Sequence, residues 1–155
     1  MANRYNENEK QFMKYYYVIY DLYNCYFSCN CIKRRCKMNR NEFENFIFKN
    51  YDCNSDFPWA RYPSYRVFRH KRNKKWFAVI MDIPKNKIGL PSSDIISAVN
   101  LKCGSVLVGS FLGKSGFYPA YHMAKNNWIT AALDGSADDE DIKFLLDISF
   151  EATKK

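Results

Sequence analysis

The segment YRVFRHKRNKKWFAVIMDIP, residues 65–84, constrains the fold of this chain more than any other stretch. Its first six residues alternate between two faces, one made of Tyr65, Val67 and Arg69 and the other of Arg66, Phe68 and His70. Trp76–Ile83 is a nearly continuous apolar run, which is typical of a strand buried on both faces. The intervening KRNK favours a four-residue hairpin loop, in which Asn73 best tolerates a left-handed conformation. The segment therefore predicts two antiparallel strands joined by a cationic turn.

Further elements follow from the spacing of apolar residues. Residues 39–51 predict a helix, with Asn39 as N-cap and Glu42 as its capping-box partner. Asp94–Leu101 predicts a third strand, and a short helix is predicted from about Ser105 to Leu112. Two more strands are predicted in FYPAYHM and NWITAALDG. A last helix is predicted with Ser136 as its N-cap, and its acidic first turn, DDED, complements the helix dipole. The element order α-β-β-β-α-β-β-α predicts an α+β fold, an antiparallel sheet with helices packed on it.

Residues 1–37 have a different texture, rich in Tyr, Asn, Cys and Lys without an amphipathic register. We interpret them as an N-terminal extension or as the product of an upstream mis-assigned start, with the domain proper spanning residues 38–155 from Met38. Four of the six cysteines fall in this part, namely Cys25, Cys29, Cys31 and Cys36. Their C-x3-C-x-C-x4-C spacing does not match the paired knuckles of a zinc site, so we predict that they are free thiols. Cys53 and Cys103 are predicted to be buried or half-buried packing residues.

Charge is distributed unevenly along the chain. The formal net charge is +8, which favours polyanionic partners. Residues 61–87 hold nine Lys and Arg residues against Asp82 alone, whereas residues 134–151 hold seven acidic residues against Lys143 alone. The sequence therefore predicts a molecule with a basic and an acidic side.

From residue 38 onward the chain resembles the MmcQ/YjbR family of small bacterial proteins. The resemblance is carried by YPSYRVFRHKRNKKWFAVIMDIP, NLKC at 100–103, GFYPAYHMAKNNWITAALDGS at 116–136 and the closing DEDIKFLLDISFEAT. It implies a two-layer α+β fold, similar to the CyaY-like and secretion-chaperone-like folds. It also implies DNA binding through a double-wing arrangement, and it implies no catalytic reaction and no cofactor.

The cationic hairpin is the first candidate site. Its basic side chains would contact phosphates largely without sequence specificity. The predicted site residues of the hairpin are Arg66, Arg69, His70, Lys71, Arg72, Lys74 and Lys75, and Lys85 and Lys87 extend the patch from the next loop. The alternative is a solvated hairpin tip that keeps the sheet soluble. The predicted partner is therefore the phosphate backbone of DNA.

A second candidate surface consists of Tyr121, His122 and Trp128, joined by Trp59 and Trp76, where aromatic rings and an imidazole would stack on bases or a ligand. The competing interpretation is that these aromatic residues are ordinary core residues of strands. Only two histidines exist in the chain, which excludes a multi-histidine metal site.

No catalytic motif is present in the sequence, neither G-x-S-x-G nor a Walker loop nor H-E-x-x-H, so we predict a protein that is not an enzyme. We predict no metal, no cofactor, no small-molecule substrate and no membrane span, and a cytoplasmic location. The alternative function is a protein-interaction or dimerisation module resembling secretion chaperones, which binds itself or another protein without nucleic acid.

Overall fold

The computed structural model describes residues 38–154. In chain order the elements are α1 (Arg40–Asn50), β1 (Cys53–Asp56), β2 (Arg66–His70), β3 (Trp76–Pro84), a 3₁₀ helix (Lys85–Ile88), β4 (Ile95–Lys102), α2 (Gly104–Phe111), β5 (Phe117–Pro119), β6 (Trp128–Ala132) and α3 (Asp139–Thr153). The strands form a single antiparallel sheet in the order β1-β2-β3-β4-β6-β5. The predicted α+β fold is confirmed. Residues 1–37, with their predicted extension and four cysteines, lie outside the described residues.

One face of the sheet, the helix face, is covered by the helices. Phe68 of β2 contacts the ring of Phe48 in α1, and Phe77 of β3 contacts the ring of Phe150 in α3. At the other side of this face, Phe111 of α2 packs edge-on against Phe117 of β5. These rings are the kind of large apolar surface whose removal from water dominates the stability of a small domain.

The opposite face, the loop face, is covered by connecting segments instead of helices. Its buried centre includes Val67, Val79 and Met81. The partly buried side chains that pack against this centre come mainly from the loops and strand ends, and they are Trp59, Tyr65, Trp76, Leu90, Tyr118, Tyr121 and Met123. Because both faces are covered by apolar side chains, β3 is buried along most of its length, as its continuous apolar sequence predicted.

Helix starts follow the local capping chemistry. At α1 the predicted capping box is present: the Asn39 side chain accepts from the Glu42 amide, and the Glu42 carboxylate accepts from the Asn39 amide. At α3 the predicted Ser136 cap is wrong. The N-cap is Asp138, whose carboxylate accepts from the amides of Glu140 and Asp141, so the acidic stretch itself supplies the cap.

The sheet has one strand more than the sequence predicted. β1 is four residues long, has the sequence CNSD and alternates between half-buried and exposed residues. It pairs with β2 from Cys53 opposite His70 to Asp56 opposite Val67. A short polar strand of this kind carries almost no propensity signal and exists because β2 presents it with an edge to pair with.

Candidate functional site

Two hairpin loops project from the same end of the sheet. Residues 71–75 join β2 to β3, and residues 120–127 join β5 to β6. Leu101 of β4 pairs with Ala78 near the start of β3 and with Ile129 near the start of β6, so both loops lie at the end where β4 finishes. We call this the wing end, and the two loops the first wing (71–75) and the second wing (120–127). Three strand spacings separate their centres, roughly 14 Å.

The first wing is a tight turn closed by the strand ends. The His70 amide donates to the Lys75 carbonyl at 3.1 Å, and the Lys74 amide donates to the His70 carbonyl at 3.1 Å. The left-handed residue is Lys74, with φ +59°, and the prediction that placed it at Asn73 is wrong. Asn73 instead uses its side chain, because its Oδ1 accepts from the Lys75 amide.

Four exposed cations surround this turn, namely Lys71, Arg72, Lys74 and Lys75. Lys71 forms an ion pair with Asp52, and its hydrogen bond with that carboxylate raises the pKa of Lys71 above its ordinary value. Both partners are exposed, so the pair is screened and contributes little to stability. The structure therefore brings these predicted site residues together as one cationic loop.

His70 is a correction to the predicted basic patch, because its ring is buried at the base of the first wing. Its Nε2 lies 2.8 Å from the Thr153 hydroxyl, and that hydroxyl donates to the Ser149 carbonyl. Nε2 must therefore carry the proton and donate to Thr153. Asn73 Nδ2 donates to the Thr153 carbonyl at 2.9 Å, so the end of α3 fixes the first wing in place.

Lowering the pH is expected to destabilise the fold through His70. Burial lowers the pKa of His70, with the Phe150 backbone hydrogen bond and Glu151 opposing the shift in part. Because the pKa of His70 is lower in the folded state than in the unfolded state, the neutral ring contributes to the free energy of unfolding above the unfolded pKa of about 6.5. This contribution is lost as the pH falls through the folded-state pKa. Between about pH 7.5 and pH 5, urea unfolding should show a larger decrease in the free energy of unfolding for the native chain than for His70→Gln. An equal loss in both proteins would contradict the assignment.

Arg66 is also a correction, because its side chain points to the helix face. Its guanidinium forms an ion pair with Glu44 of α1 and lies 4.9 Å from the ring centroid of Phe57. Arg69 lies on the loop face, where it forms an ion pair with Asp56 and stacks over the Trp76 ring at 4.9 Å. Both charges are compensated, so neither adds an unbalanced charge to the wing end.

Lys85 and Lys87 do not extend the patch of the first wing. They lie in the 3₁₀ helix that follows β3, and β3 spans nine residues from Trp76 to Pro84. At about 3.3 Å per residue, the two ends of this strand are roughly 26 Å apart. The expectation that the two lysines continue the hairpin's surface is therefore wrong.

Two cations of the wing end were missed by the sequence reasoning. Lys102 ends β4 opposite Trp128 of β6, between the two wings, and Lys125 is an exposed residue of the second wing. The Asn127 carbonyl accepts from the amides of Cys103 and Gly104, at 2.8 and 3.1 Å, which joins the second wing to the start of α2. The β3–β4 pairing brings Lys102 beside the first wing, and the β4–β6 pairing brings the loop of Lys125 to the same end. No local sequence pattern predicts either contact.

A buried polar pair holds the second wing onto the sheet. Asn100 and Thr130 are both fully buried, and the Thr130 hydroxyl donates to Asn100 Oδ1. The Asn100 amide donates to the Tyr121 carbonyl at 2.7 Å, and Thr130 Oγ1 accepts from the Tyr121 amide at 3.0 Å. Asn100 is the signal that sequence reasoning could have used, since an amide inside an apolar strand needs partners.

The predicted aromatic surface is only partly brought together. The rings of Tyr121 and His122 are in contact, with centroids 3.9 Å apart, and His122 is exposed with φ +56°. Trp128 is half-buried at the start of β6, beside Lys102. Trp59 and Trp76 pack together farther along the loop face, with centroids 5.5 Å apart.

The two layers of the domain differ in charge. α3 carries five acidic residues against Lys143 alone. The loops that cover the loop face, residues 57–65 and 120–127, contain Arg61 and Lys125 and no carboxylate. Together with the first wing, this arrangement gives the molecule an acidic helix layer and a basic wing end, as the charge pattern predicted.

The two cysteines within the described residues are packing residues, as predicted. Burial raises the pKa of Cys103 to about 12, so its thiol stays protonated, and burial likewise raises the pKa of Cys53. Within residues 38–154, no cluster of three or more His, Cys, Asp or Glu side chains is arranged to hold a metal ion.

The YjbR family model matches residues 49–152. The chain belongs to the YjbR family. The YjbR match covers the sheet, both wings and most of α3, and it confirms the resemblance carried by the hairpin and the C-terminal segments.

YjbR-type relatives are found in several bacteria. The uncharacterised protein YyaQ of Bacillus subtilis is 32% identical over 117 residues, which cover 76% of this chain and 99% of YyaQ. A crystal structure from Pseudomonas syringae is 45% identical with a TM-score of 0.72, covering 75% of this chain and 99% of its own. The Deinococcus radiodurans protein DR2400, which has a DUF419 domain, is 18% identical with a TM-score of 0.58. The match covers 77% of this chain and 80% of DR2400, and at this identity it supports the fold alone.

These comparisons attach no catalytic activity to the YjbR domain, and YyaQ is named as uncharacterised. Among the helices of residues 38–154, none is both long and apolar enough to cross a membrane.

Proposed function

We propose that this protein is a non-enzymatic DNA-binding protein, which contacts the phosphate backbone through the wing end of its sheet. The observation that carries the proposal is the placement of two hairpin loops at one end of the sheet, with cations on both and Lys102 between them. The family resemblance, which implies a double-wing arrangement, agrees with this geometry.

The spacing of the wings suits a duplex. Their centres are roughly 14 Å apart, close to the width of about 12 Å of the major groove of B-DNA. Two cationic loops at this separation can contact phosphates on either side of a groove. Such contacts position a protein on the backbone and carry no sequence information, so the proposed binding is non-specific.

The electrostatic layout favours one orientation of the complex. The helix layer contains α3, and the five carboxylates of α3 would repel phosphates. The first wing, by contrast, has four exposed cations, one of which, Lys71, forms an ion pair with Asp52. DNA would therefore approach the wing end, and counterion release from its phosphates would supply most of the binding free energy.

The test is fluorescence anisotropy of labelled oligonucleotides with the full chain at several salt concentrations. We expect weak binding that falls linearly in log K against log salt, with a slope of about −0.9 for each neutralised phosphate of duplex DNA. Scrambling the base sequence should leave the affinity unchanged. Absence of binding at low salt would overturn the proposal.

A second candidate is self-association, favoured by the charge difference between the layers. The acidic surface of α3 and the cationic first wing are complementary between two copies of the chain. Light scattering at low salt would then report a dimer that dissociates as salt is added. A salt-sensitive dimer without DNA binding would favour this interaction module over the DNA-binding function.

A further inference from the structure

Two groups of aromatic rings lie on the loop face. Trp59 packs edge-on against Trp76 and against Tyr65, with centroid distances of 5.5 and 6.2 Å. Tyr62 stacks on Tyr65 with centroids 4.9 Å apart and an interplanar angle of 20°. These four rings come from the 57–65 loop and from the start of β3, directly beside the first wing.

The second group belongs to the second wing. Tyr121 packs against the same buried centre of the loop face as Tyr65, Trp59 and Trp76. Tyr121 in turn contacts the ring of His122. We call the set the aromatic belt, and its members are Tyr62, Tyr65, Trp59, Trp76, Tyr121 and His122.

Packing of the core explains only the inner part of the belt. Trp59, Tyr65, Trp76 and Tyr121 rest against the buried centre of the loop face. The outer members do not, because Tyr62 is 48% exposed and His122 is exposed in a left-handed backbone conformation. The exposed faces of these two rings are therefore accessible to a ligand.

The charges around the belt suit an anionic ligand. Arg61 adjoins Tyr62 in the chain, and Lys125 belongs to the same loop as His122. Residues 57–65 and 120–127 contain no carboxylate, and Asp56 is neutralised by Arg69. A ligand that combines flat rings with regularly spaced negative charge therefore matches this face.

We propose that the aromatic belt binds unpaired bases of single-stranded nucleic acid, while the wings hold its phosphates. This inference rests on the proposed function and extends it: the wings can contact the phosphates of either form, but a duplex hides the faces of its bases and a single strand offers them to the belt. Exposed aromatic rings beside a cationic groove are the usual means of sequence-tolerant single-strand binding. Every base has a stacking face, so the belt requires no particular sequence.

The test uses the full chain and three labelled probes: an oligothymidylate of about 16 nucleotides, an abasic oligonucleotide of the same length and charge, and a duplex. We expect the oligothymidylate to bind about tenfold more tightly than the abasic strand. Tyr62→Ala and His122→Ala should each weaken binding of the oligothymidylate about fivefold and leave binding of the abasic strand unchanged.

Phe48→Ala is the matched control, because Phe48 is 47% exposed, like Tyr62, but lies on α1 in the helix layer. It should leave all three affinities unchanged, with thermal unfolding verifying that each variant is folded. Equal binding of the oligothymidylate and the abasic strand would overturn the stacking inference while the proposed function survives. Tighter binding of the duplex than of the single strand would do the same, and absence of binding to all three probes would overturn both.

Discussion

Neutralising the first wing is expected to weaken DNA binding about 100-fold at about 0.1 M salt. The variant replaces three exposed cations by glutamine, namely Arg72, Lys74 and Lys75. Each cation that contacts a phosphate releases about 0.9 counterion, so the slope of log K against log salt should also become shallower by about 3. Lys71 is retained, because its charge is already compensated by Asp52. Anisotropy measured over a series of salt concentrations gives both quantities.

The matched control removes the same number of charges elsewhere, with Lys85, Lys87 and Lys114 replaced by glutamine. Lys85 and Lys87 lie in the 3₁₀ helix beyond the far end of β3, and Lys114 lies in the loop that precedes β5, at the opposite end of that strand from the second wing. Net charge alone would lower the affinity equally in both variants. A local wing site predicts a loss of threefold or less in the control, roughly the effect of long-range screening. Equal losses would contradict the placement of the site at the wing end.

Replacing Asn100 by leucine is expected to lower the free energy of unfolding by about 3 kcal/mol. The substitution removes the donor to the Tyr121 carbonyl and the acceptor of the Thr130 hydroxyl, and both of those groups are then left in an apolar interior. The second wing loses a contact that fixes its position, so DNA affinity should fall as well. Urea unfolding measures the stability change, and anisotropy measures the affinity.

A double-mutant cycle with Thr130→Val distinguishes loss of the network from general damage to the core. Thr130 lies opposite Asn100 on the neighbouring strand. Because the two side chains share a hydrogen bond, the decrease in the free energy of unfolding in the double variant should be about 1 kcal/mol smaller than the sum of the decreases in the two single variants. Strict additivity would mean that the two residues act independently, against the network described above.

The fold could be predicted from the sequence where the signals are local. The first wing with its flanking strands, and the capping box of Asn39 and Glu42, depend on residues a few positions apart, and the structure confirms both. β1 could not be predicted, because CNSD has no strand propensity of its own. The N-cap of α3 was misplaced by two residues, since Ser136 and Asp138 are both competent caps and only the register of the helix decides between them.

The candidate site was predicted less well, because it depends on contacts distant in sequence. The alternation of β2 gave the correct two faces, yet the burial of His70 arises from Thr153, which is 83 residues away. Lys102 reaches the wing end through the β3–β4 pairing, and Lys125 reaches it through the β4–β6 pairing. Conversely, Lys85 and Lys87 are near the first wing in sequence and far from it in space, because the nine-residue extended strand β3 lies between them and the wing.

The most direct test of the central claim is an NMR titration of the ¹⁵N-labelled full chain with a short oligonucleotide at low salt. Binding at the wing end predicts amide shift changes in both wings and around Lys102, with α3 largely unaffected beyond its contact with the first wing at Thr153. Shift changes centred on the acidic first turn of α3, or no change in the wings at saturating oligonucleotide, would contradict the account.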